Sequence, residues 1–200
     1  MRTTEHPTKS KLIETAVLLL DKKLPTEIAV DEILEQSGIS KGSLYHHFED
    51  LAELLEYAQV RRYASWVDRS INAILGILSH VTTQDELFQG VVRMSELTQS
   101  STYREYRLER SRTIANSKIS PRFTSALAVE QTRLTDALED VIREVQEKGL
   151  YRKDLNPRIA AVFIQAYTLG KVVDDIVDEP VNQEEWNNFI NFMVKSSMFA

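Results

Sequence analysis

The 200-residue sequence contains no cysteine, six glycines and five prolines. Without cysteine the chain has no disulfide, no thiolate metal site and no cysteine nucleophile. Because glycine and proline are scarce, long stretches lack the residues that usually end helices. No apolar run approaches the ~20 residues of a membrane helix. Residues 1–7 have no apolar core, so no signal peptide is expected, and we predict a cytoplasmic protein.

The net charge of −6 argues against a protein that coats nucleic acid without regard to sequence, because such proteins carry an excess of cations. The apolar fraction of 42% and the charged fraction of 27% are typical of a globular protein. A chain of this length forms one or two compact units. A local DNA-binding surface is still compatible with this composition, since attraction depends on individual patches.

Apolar residues recur at helical spacing along almost the whole chain, and no stretch alternates as a half-buried strand would. Serine, glycine and proline mark the breaks between these segments. The sequence therefore predicts an all-α protein of about nine helices. They are residues 9–23 with Thr8 as N-cap, a short helix from Val30 that Gly38 closes, a third capped by Ser40, a long fourth starting near Leu51 with an Asp50–Glu53 start signal, and residues 84–99, 102–116, 121–148, 156–177 and 183–198.

Two short helices joined by Ser37-Gly38-Ile39-Ser40 have the length and turn chemistry of a helix-turn-helix, whose second helix lies in the DNA major groove. Leu44 and Phe48 give that second helix an inner face that can anchor it. Gly42 and Ser43 are small enough to allow close approach to a duplex. Its outer face offers groups that bond phosphates or base edges: Lys41, Ser43, Tyr45, His46 and His47.

The string SGISKGSLYHHF at residues 37–48 resembles the signature around the recognition helix of the TetR family of transcriptional regulators. An apolar helix precedes it and a long connecting helix follows it, as in that family, and the resemblance covers roughly residues 8–58. It implies that the start of the recognition helix meets DNA, that Tyr45 and His47 reach phosphates or bases, and that Lys9 binds phosphate. The predicted DNA-binding residues are Lys9, Ser40, Lys41, Gly42, Ser43, Tyr45, His46 and His47.

The resemblance implies a three-helix DNA-binding domain at residues 1–50, which we call the reading head, and a helical ligand-binding and dimerisation domain at residues 51–200. It implies a homodimer that binds a palindromic double-stranded operator, with the two reading heads roughly 34–36 Å apart or a multiple of that distance. The expected activity is that of a repressor released by a small-molecule effector. No cofactor and no membrane partner are expected.

The sequence departs from the family pattern at two positions and in its charge. Leu51 stands where the family usually has a phosphate-binding lysine, and Ala29 stands where helix 2 usually begins with Ser or Thr. The reading head has six basic and nine acidic residues, a net charge of −3. We therefore expect few phosphate contacts, weak non-specific binding and a shallow salt dependence.

Residues 103–122 are locally basic, which is typical of a solvated helix face. The alternative is an anionic effector held by an arginine that points inward. The family implies a pocket among helices 4 to 7, although large aromatic side chains are also typical of a core. The predicted pocket residues are Tyr63, Trp66, Met94, Tyr106, Arg110, Phe123 and Tyr167.

The last two helices are apolar on more than one side, which favours a partner surface. In the family these helices form a four-helix bundle with those of the two-fold mate; the alternative is that both close the monomer core. Ala166 and Gly170, one turn apart, allow close helix contact. The predicted dimer residues are Phe163, Ala166, Gly170, Val173, Trp186, Phe189, Ile190 and Met193.

DNA binding has three alternatives: a metal site, an enzyme and an interaction protein. Adjacent His46 and His47 point about 100° apart on a helix and have no further ligand at a suitable spacing, so no metal site is predicted. The chain has no nucleophile elbow and no phosphate-cradling glycine loop, so it is not expected to be an enzyme. The acidic reading head and Leu51 favour a second candidate, a helical interaction protein of the same fold that has lost DNA binding.

Overall fold

The computed structural model describes residues 5–78 and 81–199. The structure does not describe residues 1–4, 79–80 and 200. The predictions above that include these residues lie, at those positions, outside the described residues. All regular structure in the described part is helical, so the all-α prediction is confirmed.

The helices follow the predicted breaks closely. Lys171 divides the predicted helix over 156–177 into α8, Pro157–Gly170, and the four-residue α9, Val172–Asp175. With these two counted as one, the described residues contain the predicted nine helices. The bounds are α1 Pro7–Leu20, α2 Val30–Ser37, α3 Lys41–His47, α4 Leu51–Leu78, α5 Gln84–Gln99, α6 Arg104–Asn116, α7 Pro121–Glu147, α8 Pro157–Gly170, α9 Val172–Asp175 and α10 Gln183–Met198. Short 3-10 turns occupy Pro25–Glu27, Ser101–Tyr103 and Ser117–Ile119.

Helix ends are set by local capping groups. The prediction that Thr8 caps α1 is wrong, because α1 begins at Pro7 and the side chain of His6 accepts the Thr8 N–H. Proline suits the first helical position, since its missing N–H would have no partner there. The predicted start signal of α4 is confirmed, as Asp50 Oδ1 accepts the Glu53 N–H at 2.7 Å.

The described chain forms two compact units. The first extends to Trp66 and also contains Ser117–Leu127, and the second comprises Val67–Asn116 and the chain from Ala128 onward. In the first unit, Leu12, Ile13 and Ala16 of α1 pack with Ile33 of α2 and Leu44 of α3, and all five are at most 1% exposed. This core fixes α3 through its inner face.

The second unit has its own apolar core. Val145 of α7, Ala161 of α8 and Val194 of α10 are all buried in it. At the far end of α10, Phe199 makes edge contacts with Tyr151 and Phe88 at ring-centroid distances of 4.7 and 5.3 Å. Within the residues that the structure describes, no helix is both long enough and apolar enough to span a membrane.

Candidate nucleic-acid interface

The turn between α2 and α3 is fixed by three local interactions. Gly38 ends α2 at φ 64°, in the left-handed region that favours glycine. The Ser37 hydroxyl accepts the Ile39 N–H at 3.2 Å. Ser40 caps α3, since its Oγ accepts the Ser43 N–H at 3.2 Å. These bonds set the direction in which α3 leaves the turn.

One face of α3 is anchored and the other is open. Leu44 is fully buried and Phe48, immediately after the helix, is 2% exposed, both in the core of the first unit. Tyr45 is 45% exposed despite its large ring. The exposed predicted residues are Ser40, Lys41, Gly42, Tyr45 and His46, while Lys9, Ser43 and His47 are half-buried.

Gly42 has room for a side chain that it does not carry. A Cβ added there would meet no heavy atom within 4 Å. Alanine is preferred over glycine in a helix by about 1 kcal/mol, so the fold itself gives no reason for glycine at this position. Its effect is to leave the start of α3 open to a surface outside the chain.

Lys9 of α1 is held against aromatic rings near the end of α3. Its ammonium nitrogen lies 4.1 Å from the centre of the Tyr57 ring and 5.3 Å from that of Phe48. Attraction between the charge and the negative faces of the rings keeps the cation in place. Lys9 is therefore positioned beside α3, although it belongs to another helix.

Three imidazole rings meet where α1 begins and α3 ends, and we call His6, His46 and His47 the imidazole cluster. The ring centroids of His6 and His47 are 4.9 Å apart, and those of His46 and His47 are 5.1 Å apart. His6 Nδ1 accepts the Thr8 N–H at 3.2 Å, which requires that nitrogen to be unprotonated. Within the described residues no group of three or more histidines and carboxylates is arranged to hold a metal ion.

Protonation of His47 is disfavoured by its surroundings. Desolvation lowers the pKa of His47, and positive charge on His6, His46 and Lys9 lowers the pKa further. His47 is therefore held in its neutral form to lower pH than an isolated histidine, whose pKa is about 6.5.

The acidic residues that follow α3 are engaged at the start of α4. Glu53 accepts the Glu49 N–H at 2.6 Å, and its own N–H is bound to Asp50. Arg122 pairs with Glu53 at 3.2 Å and with Glu56 at 2.9 Å within the first unit. These carboxylates cap a helix and neutralise an arginine.

One arginine of the basic segment at residues 103–122 is buried in the second unit. Arg107 is 4% exposed, and its Nε and Nη2 donate to the two carboxylate oxygens of Asp175 at 2.6 Å each. Its Nη1 donates to the carbonyls of Thr98 and Ser100 at the end of α5. The positive charge of Arg107 is therefore neutralised by Asp175 of the same chain.

The predicted pocket residues are divided between the two units. Tyr106 is 57% exposed, whereas the others are buried or half-buried. Burial raises the pKa of the Tyr167 hydroxyl. The first unit contains Tyr63, Trp66 and Phe123, and the second contains Met94, Tyr106, Arg110 and Tyr167.

A series of side-chain hydrogen bonds links three helices of the second unit. The Gln131 amide of α7 donates to Gln165 of α8 at 2.5 Å, and the Gln165 amide donates to Thr135 at 3.1 Å. Arg110 of α6 approaches Gln131 Oε1 at 3.5 Å. On the same helix, the Ser111 hydroxyl is buried with no hydrogen-bonding partner among the described residues.

Exposed apolar side chains concentrate on α8 and α10. Phe163 is 43% exposed, Phe189 55% and Met193 40%, and Val173 of α9 is 72% exposed. Ala166 and Gly170 are also exposed. Two predicted dimer residues are placed otherwise: Ile190 is buried at 6% in the second unit, and half-buried Trp186 donates its Nε1–H to Gln99 at 2.9 Å.

A helix-turn-helix whose second helix presents a polar outer face is a DNA-binding architecture. Residues 12–58 match the family model described as bacterial regulatory proteins, tetR family. The N-terminal region at residues 12–58 is therefore of the TetR type, as the motif at residues 37–48 predicted.

Solved structures extend the likeness of fold to almost the whole chain. A protein from Mesorhizobium loti MAFF303099, described as a TetR-family transcriptional regulator, is 19% identical with a TM-score of 0.70, covering 98% of this chain and 96% of its own. GusR from Salmonella enterica is 20% identical with a TM-score of 0.66, covering 98% and 97%. A transcriptional regulator from Saccharomonospora viridis, solved in complex with choline, is 17% identical with a TM-score of 0.68, covering 96% and 97%. No curated protein sequence gives a significant match.

Sequence reasoning missed two features of these units. His6 joins the imidazole cluster although it lies 40 residues or more before its partners, and no local pattern signals such a contact. The sequence pattern does not identify Asp175 as the partner of Arg107; the available signal is the pair Asp174-Asp175 between apolar residues, because a buried carboxylate requires a cation.

Proposed function

We propose that this protein is a homodimeric repressor that binds a palindromic DNA operator through the outer face of α3. The observation that carries this proposal is a recognition helix anchored by Leu44 and Phe48 that exposes Lys41, Tyr45 and His46. The vacant space at Gly42 supports it, because close approach of a duplex explains a glycine that the fold does not need. In this proposal residues 1–50 read DNA, in the cytoplasm, and residues 51–200 dimerise and bind effector.

The apolar face of α8, α9 and α10 is proposed as the dimer interface. A monomeric protein rarely exposes Phe163, Val173, Phe189 and Met193 together, since each leaves apolar area in water. Exposed Ala166 and Gly170 would let the helices of two copies approach closely. Ile190 would support this face from beneath, and Trp186 would border it.

The effector is proposed to be a small molecule bound in the second unit beside α6. The predicted pocket residues of this unit are Met94, Tyr106, Arg110 and Tyr167, and the Ser111 hydroxyl supplies an unused hydrogen-bonding group. Arg107 is not proposed to bind an anion, because Asp175 already neutralises it. The effector would release DNA only as far as it binds the released state more tightly than the bound state.

Selection from a pool of random duplexes at moderate salt tests DNA binding. We expect one palindrome to be enriched, and Tyr45→Ala or Lys41→Ala to abolish the enrichment. Lys22→Ala is the matched control, because Lys22 is an exposed lysine of the reading head outside the predicted site. If low salt also yields no enriched sequence, the proposal is wrong.

The second candidate, an interaction protein without DNA binding, is favoured by Leu51, which packs its half-buried side chain on the core of the first unit. Leu51→Lys separates the two functions, with exposed Ala52→Lys as the control for added charge. A weak DNA binder should gain affinity for every duplex, with a salt slope steeper by about 0.9. An interaction protein should show no gain over Ala52→Lys.

A further inference from the structure

The imidazole cluster lies on the part of the reading head that the proposed function turns toward DNA. His46 and His47 are the last residues of α3, and His6 immediately precedes α1. The outer face of α3 and the beginning of α1 therefore meet at these rings, and the centroid of His47 lies about 5 Å from those of His6 and His46. Histidine is the side chain whose charge changes most readily near neutral pH.

From this arrangement we infer that the imidazole cluster makes DNA binding proton-linked: His6, His46 and His47 take up protons when phosphates approach, with His6 as an additional DNA-contacting residue. The inference rests on the proposed function. It makes the reading head a stronger DNA binder at mildly acidic pH than at mildly alkaline pH.

The charged groups around the cluster come from α1, from α4 and from the segments just before each of them. Lys9 of α1 is held over Tyr57 of α4, and its ammonium opposes a further positive charge on His47. Glu5, next to His6, is paired with Arg61 of α4 at 2.7 Å. In the chain that follows α3, the carboxylates of Asp50 and Glu53 bind backbone N–H groups at the start of α4. None of these interactions supplies an unpaired carboxylate to stabilise a protonated ring in the absence of DNA.

Protonation therefore has opposite effects in the unbound and bound states. In the unbound protein a second proton on His6 removes the acceptor that caps α1 and places like charges about 5 Å apart. In the complex, phosphates lie beside the rings and compensate each added charge. Three protonated rings would raise the net charge of the reading head from −3 to zero.

The sign of the stability change in the unbound protein is fixed by the lowered pKa of His47. A histidine whose pKa is lower in the folded state contributes stability that is present above its unfolded pKa of about 6.5 and is lost as pH falls through the folded value. Below about pH 6.5 the unbound protein should therefore lose stability while its DNA affinity rises.

The test uses the full chain and a 30-base-pair duplex carrying the palindrome enriched in the selection, with a random duplex of the same length if none is enriched. The Kd is measured by fluorescence anisotropy between pH 8 and pH 6 at fixed salt, with circular dichroism to verify folding. An average uptake of about half a proton across these two pH units predicts roughly tenfold tighter binding at pH 6, since the slope of log Kd against pH equals the number of protons taken up on binding. The salt slope should be steeper at pH 6 because added cations displace more counterions.

His6→Asn is the key variant. Asparagine is a good N-cap and does not titrate, so α1 keeps its cap while one proton site is removed. We expect unchanged stability and a tightening of about threefold instead of tenfold between pH 8 and pH 6, because one of the linked sites is lost. His6→Ala is the comparison that loses both the cap and the proton site.

Histidine NMR titration gives a readout independent of affinity. The pKa of His47 should rise on addition of the duplex, and in the unbound His6→Asn variant it should rise because a positive neighbour is gone. Binding at pH 8 that does not change down to pH 6 overturns the inference and leaves the proposed function intact. A pH dependence equal in wild type and His6→Asn, with the His47 pKa unmoved by DNA, assigns the protons elsewhere and also overturns it. No binding to either duplex at any pH overturns both proposals.

Discussion

The N-cap side chain accepts a hydrogen bond at the start of α3 but not at the start of α2. Ala29 caps α2 with no side-chain hydrogen bond, whereas Ser40 caps α3 through the Ser43 N–H. Ala29 has the extended conformation of an N-cap, with φ −99° and ψ 152°, so serine fits there without rearrangement. We expect Ala29→Ser to raise the free energy of unfolding by about 1 kcal/mol and Ser40→Ala to lower it by a similar amount. Urea unfolding of the two variants measures both values, and equal stabilities would contradict the capping argument.

Gly42 separates the requirements of folding from those of DNA binding. Gly42→Ala should stabilise α3 by roughly 0.5–1 kcal/mol, because alanine loses less backbone entropy and meets no neighbour. The same change should weaken binding to the selected duplex, because the added methyl group occupies space that the approaching DNA requires.

Chemical unfolding and duplex titration of that one variant provide both measurements. Exposed Ala52→Gly on α4 is a control for the effect of glycine on a helix outside the predicted contact surface. Tighter DNA binding by Gly42→Ala would show that close approach is not the reason for the glycine.

Residue patterns predicted what depends on neighbours along the chain. The αL glycine at position 38, the Ser40 cap and the Asp50–Glu53 start signal were all foreseen, because each acts within four residues. The cap of α1 was not foreseen, since Thr8 fits the statistical preference and His6 acts only through the orientation of its ring. The proximity of His6 to His47 depends on packing of α1 against α3, which the sequence pattern does not specify.

At the scale of helices, the buried pair of Arg107 and Asp175 joins α6 to α9. Removing one partner leaves an uncompensated charge in a nonpolar interior, so Asp175→Leu should lower the free energy of unfolding by about 3–5 kcal/mol. The double change Arg107→Met with Asp175→Leu should recover much of that loss, since neither charge remains. Recovery should be incomplete, because Arg107 also donates to the carbonyls that end α5.

Thermal unfolding of the two single variants and the double variant forms the appropriate cycle. Exposed Arg112, paired with Glu109 on the same helix, supplies the control: Arg112→Met should change stability by less than about 1 kcal/mol. If Asp175→Leu were equally mild, the pair would contribute nothing to holding α6 against α9.

Helix positions were predicted more closely than helix surroundings. The bounds of α5 and α10 agree with those expected from apolar periodicity, because periodicity and capping residues are local. Periodicity does not say which of two apolar faces a partner covers. Ile190 and Phe189 are adjacent on α10, yet the first is buried in its own unit and the second is exposed.

At the scale of the whole molecule, the apolar face on α8 and α10 predicts the oligomeric state. Phe163→Glu should convert the proposed dimer to a monomer, because a buried carboxylate without a partner is strongly unfavourable. Light scattering should then fall from twice the chain mass to 23.0 kDa. Leu97→Glu on α5, at a similar exposure of 48%, should leave the mass unchanged.

The two variants also test the proposed operator. Loss of the dimer should weaken binding to the palindrome far more than binding to a single half-site, because a monomer cannot engage both halves at once. A wild-type chain that is monomeric at micromolar concentration would contradict the dimer proposal.

The acidic character of the reading head bears on how such a regulator would find its operator on a chromosome. With three more acids than bases, the head has little attraction for the sequence-independent phosphate backbone, so chromosomal DNA would retain few molecules. Occupancy of one operator depends on the ratio of specific to non-specific affinity multiplied by the number of competing sites. A weakly charged head keeps that competition small, so a low copy number would suffice, and encounters would occur mainly from solution instead of by sliding along the duplex.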